Sequence, residues 1–169
     1  MAFQQILRLD EIPPNGWRGV VEAPANALSD IAERIDAPEV IRLRSEIELH
    51  KTARGLSVSG TLDAALVREC VASLEPFEEA INEPFELQFT RSAEPDAHGE
   101  AEIDPDAPEP LTGDSIDLAD LLIQQLSLAM APFPRKPGAA SLAEKFAPPQ
   151  SISPFEALKS KIAEDGEQG

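Results

Sequence analysis

The sequence predicts an α+β fold: a curved antiparallel sheet of about five strands packed by one long apolar helix, with short N- and C-terminal helices and an acidic loop. Three observations predict it. The runs "VIRLRSEIELHK" and "LSVSGTLDAAL" alternate apolar and polar residues, as a sheet with one buried face requires. "DSIDLADLLIQQLSLAM" carries an apolar stripe at helical spacing. The segment between them is rich in acids and proline and has little to bury.

In chain order, "FQQILRLDEI" reads as a first strand, and "WRGVVEA", set off by Pro13, Pro14 and Gly16, as a second. "NALSDIAERIDAP" predicts a short helix. Asn26 is placed to cap it, Leu28, Ile31, Ala32 and Ile35 form its stripe, and Pro38 ends it. In the following hairpin Ile41, Leu43, Ile47 and Leu49 point to one face, and Arg42, Arg44, Glu46, Glu48 and His50 to the other. "HKTARG" turns the chain, after which Leu56, Val58, Leu62, Ala64 and Leu66 share the buried face. Gly60 falls in the inward phase and marks a bulge or a close approach by another element. Continuing that phase reaches Arg68, which breaks the apolar pattern, and then Cys70, where a small apolar residue is wanted. "LEPF" turns the chain, and "EPFELQFT" supplies a further strand with Phe85, Leu87 and Phe89 in phase.

Residues 92–113 form the expected acidic flexible loop, and Ser92 to Pro134 contains no lysine or arginine. Glu94, Asp96, Glu100, Glu102, Asp104, Asp106, Glu109 and Asp114 stand there among prolines, with too little apolar surface to offset an ordering cost of roughly 1–2 kcal/mol per residue. The long helix is expected to begin near Ile116, capped by Asp114 or Ser115, with Asp117 and Asp120 at the positive end of its dipole. Leu118, Leu121, Leu122, Leu126 and Ala129 make its stripe, which Ile116, Ile123 and Met130 widen. Pro132 and Pro134 forbid its continuation. "SPFEALKSKI" reads as a C-terminal helix with Ser153 as cap, Pro154 at the first position and Glu156 completing a capping box. A single domain over residues 1–163 and a disordered tail over 164–169 are the expected organisation.

The 169 residues carry a formal net charge of −17. Such a field repels phosphate and disfavours a protein that coats nucleic acid unaided, while it attracts basic partners. One cysteine forms no internal disulfide, which fits a reducing compartment. The N-terminal run resembles no secretory signal, and no segment has the ~20 apolar residues of a membrane span, so a cytoplasmic protein is expected.

Catalytic and metal chemistry find little support. A nucleophilic Cys70 needs a base within reach, and the chain has only His50 and His98, one beside the hairpin turn and the other in the acidic segment. Structural zinc needs four ligands, usually in close pairs. Glu75, Glu78 and Glu79 around a turn, and "DPDAPE", lack the ligand spacing and hinge glycine of a calcium loop. No catalytic residue, cofactor site or metal site is therefore assigned. Cations are scarce enough for their placement to inform: Arg42, Arg44, Lys51 and Arg54 on the hairpin, and Arg135 and Lys136 in a proline-stiffened segment.

Three blocks in order, "VSGTLDAALVRECVASLEPF", "IDLADLLIQQLSLAMAPFPRKPGA" and "PFEALKSK", resemble the YceD (DUF177) family of large ribosomal RNA subunit accumulation proteins, over Trp17 to Lys161. Many members of that family carry Cys-x-x-Cys followed by Leu-Glu-Pro, with arginine before the second cysteine. Here Cys70 matches the first cysteine and Leu74-Glu75-Pro76 the tail, but Ser73 replaces the second cysteine, Ala72 the arginine, and "PFPRKPGA" lacks the family's later cysteine. No metal role is carried over. The resemblance implies a non-catalytic part in 23S rRNA accumulation and large-subunit assembly. With the charge, it leads us to expect a basic ribosomal protein or assembly factor as partner, held by acids such as Glu100, Glu102, Asp104 and Asp106. The alternative is direct rRNA contact through Arg42 and Arg44 of the hairpin and through Arg135 and Lys136.

Overall fold

A computed structural model describes residues 3–91, 108–111 and 113–139. By its contacts the chain divides into Met1–Lys136 and Pro137–Gly169, and every described strand and helix belongs to the first unit. The expected C-terminal helix, the tail, and Glu100, Glu102, Asp104 and Asp106 lie outside the described residues.

Strands β2 (Trp17–Glu22), β3 (Glu39–Lys51), β4 (Gly55–Glu69) and β5 (Pro76–Thr90) pair antiparallel in chain order. The alternating runs dictate this, because consecutive strands with one apolar face bury it most readily as adjacent hairpins. A fifth strand, β6 (Glu109–Pro110), closes the order β2-β3-β4-β5-β6. It runs parallel to β5, so the sheet is mixed where an antiparallel one was expected. Part of the stretch read as loop is therefore an edge strand: the Leu111 N–H donates to the Thr90 carbonyl at 2.8 Å. A proline, having no N–H, is tolerated in such a strand only because the outer edge needs no donor.

β5 starts at Pro76, well before the expected "EPFELQFT", and both β4 and β5 span fifteen residues. Glu78 and Glu79 belong to β5, not to the turn. The inward phase of β4 is as expected, with Leu56, Val58, Leu62, Ala64 and Leu66 buried. β3 departs from expectation at Ile41. A register shift between Val40 and Arg42 adds a residue, so that Val40 turns inward and Ile41 stands 41% exposed. At Gly60 the close-approach reading holds. A Cβ there would meet the Glu46 carbonyl oxygen at 2.6 Å and the Phe85 ring at 2.8 Å.

Two helices cover the inner face. α1 (Leu28–Arg34) follows a 3-10 turn, Ala25–Ala27, so its N-cap is Ala27 and not Asn26. It buries Ile31 and Ala32 and packs on β3. α2 (Leu118–Ala129) buries Leu118, Ala119, Leu121, Leu122, Ile123 and Leu126. Its cap is Asp117, whose carboxylate accepts from the N–H groups of Ala119 (3.0 Å) and Asp120 (3.4 Å). It begins at Leu118 because Ser115–Asp117 is drawn into a strand, β7, against β1 (Ile6–Arg8). Consequently β1 belongs to a separate two-stranded sheet, pairing Leu7 with Ile116, and the first predicted strand never joins the main one.

α2 is also shorter than expected. Its twelve residues span about 18 Å, against roughly 50 Å for β4. One helix cannot cover so long a face. α1, the β1–β7 pair and Leu9 and Ile12 complete the core.

Candidate functional site

At the Glu69 end of β4 the chain turns through Cys70–Glu75 into β5. The Cys70 N–H donates to the Glu75 carbonyl at 2.9 Å, and the Leu74 N–H to the Cys70 carbonyl at 2.8 Å. Leu74 takes φ 58°, a left-handed conformation that non-glycine residues seldom adopt, and its side chain is 70% exposed. Against this turn lies the strap that follows α2, residues Ala131–Lys136. Pro132 and Pro134 keep it out of the helix, so its carbonyls are not used in a helical ladder and can accept bonds from outside.

Three contacts fasten strap to turn. The Val71 N–H donates to the Pro134 carbonyl at 3.0 Å. Arg68 Nη2 donates to the Ala131 carbonyl at 2.9 Å while Nη1 pairs with Glu79 at 3.2 Å. Lys136 Nζ pairs with Glu75 at 3.2 Å. Arg68, the arginine that broke the apolar pattern, thus stays in phase and is buried, with two partners. The strap and turn leave apolar side chains in solvent: Val71 and Leu74 on the turn, Leu128 at the end of α2 (77% exposed) and Phe133 on the strap (76%).

Cys70 is fully buried but is not part of the apolar core cluster. It sits under the turn and the strap. The Ser73 hydroxyl lowers the thiol pKa most, followed by backbone hydrogen bonding at Lys136. Bonding at Ala72 and Ser73 adds to this, burial opposes it, and the result is about 7 against an ordinary 9.0. The sequence places this cysteine on the core side; the turn itself supplies the largest polarising hydrogen bond, from Ser73, and the strap adds the one at Lys136.

The outer face of the sheet is a second feature. Partners directly opposite in register share a face. On this basis Glu22 of β2, Glu39, Glu46 and Glu48 of β3, Asp63 and Glu69 of β4, and Glu78 and Glu86 of β5 all face outward with Arg18, Arg42 and Arg44. Carboxylates outnumber guanidiniums there, and each guanidinium is paired: Arg42 with Asp63 at 2.7 Å, Arg44 with Glu46 at 3.3 Å, and Arg18 with Glu48. Arg42 and Arg44 therefore present no basic face of their own. The structure brings them together on the sheet, and places Arg135 and Lys136 separately on the strap. Arg135 has no carboxylate within ion-pair distance among the described residues, whereas Lys136 has Glu75. The exposed apolar set was missed from sequence, since Leu128 and Phe133 look like ordinary stripe and turn residues. An arginine in the inward phase of a strand was the available signal for the strap anchor.

These features define an α+β domain that offers charged and apolar surfaces around a fixed turn and strap. Among the described residues no cluster of three or more His, Cys, Asp or Glu is placed to hold a metal ion, and no helix is long and apolar enough to cross a membrane. The chain belongs to the YceD family, described as large ribosomal RNA subunit accumulation protein YceD, which it matches over residues 58–160. That span begins in β4 and runs through the Cys70 turn, α2 and the strap. No curated protein and no solved structure is significantly similar to it.

Proposed function

We propose that this protein supports large ribosomal RNA accumulation as a non-catalytic cytoplasmic factor that binds a basic ribosomal protein or assembly factor. The observation that carries the reading is the outer sheet face, where carboxylates exceed and neutralise the arginines. Within a chain of net charge −17, that face attracts a cationic partner at long range. The exposed Val71, Leu74, Leu128 and Phe133 supply the desolvated contacts that give such a complex its lifetime. A basic ribosomal protein held this way is screened from wrong contacts until rRNA displaces the carrier.

Capture of partners on the tagged protein at about 100 mM salt tests this. A basic ribosomal or assembly protein should be recovered, and lost when Glu46, Glu48 and Glu86 are changed together to glutamine. Recovery of no such protein, with normal large-subunit rRNA in cells lacking the gene, overturns the reading. The second reading, direct rRNA contact through Arg42, Arg44, Arg135 and Lys136, draws support from Arg135 alone, since the other three are compensated by carboxylates.

A further inference from the structure

The opposite end of β4 holds a different arrangement. The β3–β4 turn closes a cleft of about 730 Å³, walled by Leu9 and Asp10 of a 3-10 turn, Leu9–Glu11, that follows β1, by Lys51 to Leu56 of the hairpin, and by Thr90 and Arg91 at the end of β5. Among the described residues every lysine and arginine has a carboxylate within ion-pair distance except Lys51, Arg54 and Arg135. Two of these three line this one cleft. The third cation lining it, Arg91, has Asp114 at 3.5 Å as its ion-pair partner among the described residues, with side chains 59% and 89% exposed, a contact that solvent screens. The single acid among the described residues of the wall, Asp10, is already engaged by two hydrogen bonds from Arg8, at 3.0 and 3.1 Å.

The backbone fixes these cations side by side. The Thr52 N–H donates to the Gly55 carbonyl at 3.0 Å, and the Gly55 N–H to Thr52 Oγ1 at 3.1 Å, so the turn is closed on itself. The Arg91 N–H donates to the Arg54 carbonyl at 2.9 Å, which sets the two arginines on neighbouring backbones. At Gly55 an added Cβ would lie 1.9 Å from the Phe89 carbonyl oxygen, so turn and β5 are in close contact. Like charges held together repel, and an anion with several acceptor oxygens relieves that repulsion best. Phosphate fits: it takes the guanidinium fork in bidentate fashion and the lysine as a point charge. Among the described residues the wall has no aromatic ring on which a base could stack.

We propose that this cleft is a phosphate-binding site that engages the backbone of an RNA strand without reading its bases. The site is separate from the surfaces assigned to the protein partner, so either assignment can fail alone.

The test is titration of the full-length protein, observed by amide NMR, with inorganic phosphate, a ten-nucleotide oligouridylate and a decaglutamate peptide. The oligouridylate should move the amides of Thr52 to Gly55 and Arg91. Its affinity should drop at least tenfold in K51E/R54E, with the log–log salt slope shallower by about 1 to 2, while partner capture is unchanged. Phosphate should move the same amides more weakly. Both substitutions are at exposed positions, and an unchanged spectrum elsewhere reports an intact fold. Oligouridylate binding that survives K51E/R54E, or that R135E abolishes equally, places the site elsewhere and overturns the proposal. Oligouridylate no tighter than inorganic phosphate overturns its RNA part, and decaglutamate as tight as oligouridylate overturns the phosphate selectivity.

Discussion

β4 joins two turns that treat their cations in opposite ways. At its Glu69 end Arg68 and Lys136 are both bound internally, the first to Glu79 and the Ala131 carbonyl, the second to Glu75, and together they hold the strap. At its Gly55 end Lys51 and Arg54 have no carboxylate within ion-pair distance among the described residues, in a chain with 31 acidic residues against 14 lysines and arginines. In a molecule so rich in acids, chance pairing would leave few cations over, and two left adjacent is the rarer arrangement. Charge placement therefore separates an end where Arg68 and Lys136 serve architecture, with Arg135 left over, from one where Lys51 and Arg54 are both left available.

The widest test removes the support that both ends share. Leu122 is fully buried in α2, and an unpaired carboxylate there costs more than a marginally stable domain can supply. Leu122→Asp should abolish the cooperative thermal transition and the signals of both turns; a Tm shifted by only a few degrees shows that α2 is not the lid of this core.

Next in size is the strap anchor. Arg68→Met strands Glu79 and the Ala131 carbonyl, and should cost about 2–4 kcal/mol in denaturant unfolding. Exchange of the Val71 amide, bonded to Pro134, should accelerate while the Thr52 and Gly55 amides are unaffected. Equal acceleration at both turns means the two ends are not independent.

Cys70 sharpens the comparison through pH. Its folded pKa, about 7, lies below the ordinary 9.0, so the folded state loses the thiol proton first. The stabilisation this brings is complete above pH 9.0, and it is lost as pH falls through about 7. Relative to Cys70→Ser, the wild type should gain stability between those values in equilibrium unfolding. Parallel curves mean that the turn does not polarise the sulfur.

The smallest effect is expected at Lys136, whose pair with Glu75 is exposed on both sides. Lys136→Ala should change stability by no more than about 0.5 kcal/mol. A larger loss would make it a structural clamp on the strap in its own right.

Much of the fold was legible because burial imposes a period. The phase from Leu56 through Cys70, the stripe of α2 and the stop at Pro132 all follow from it. What escaped involved competition between neighbours. Ile41 alternates correctly, yet the bulge after Val40 exposes it. Ile6 to Arg8 forms a strand, but Ser115–Asp117 takes it as partner. The candidate surfaces were less legible still. Arg42 and Arg44 were identified as an outward pair, but their neutralisation depends on Asp63 across the hairpin and on Glu46 two residues along. Lys51 and Arg54 read as turn cations, but that they have no ion-pair partner among the described residues, with Arg91 beside them, is a fact of register.

The sequence by itself determined the alternating strands, the helix that lids them, the strong negative charge and the family likeness, because each is set by residue types at fixed local spacing. Tertiary folding decided which cations are paired among the described residues, and that the strap returns to pack on the Cys70 turn and add a backbone bond at Lys136. Ion pairs and backbone bonds of that kind join positions as far apart as Arg68 and Ala131, and no local spacing rule reaches across such a distance.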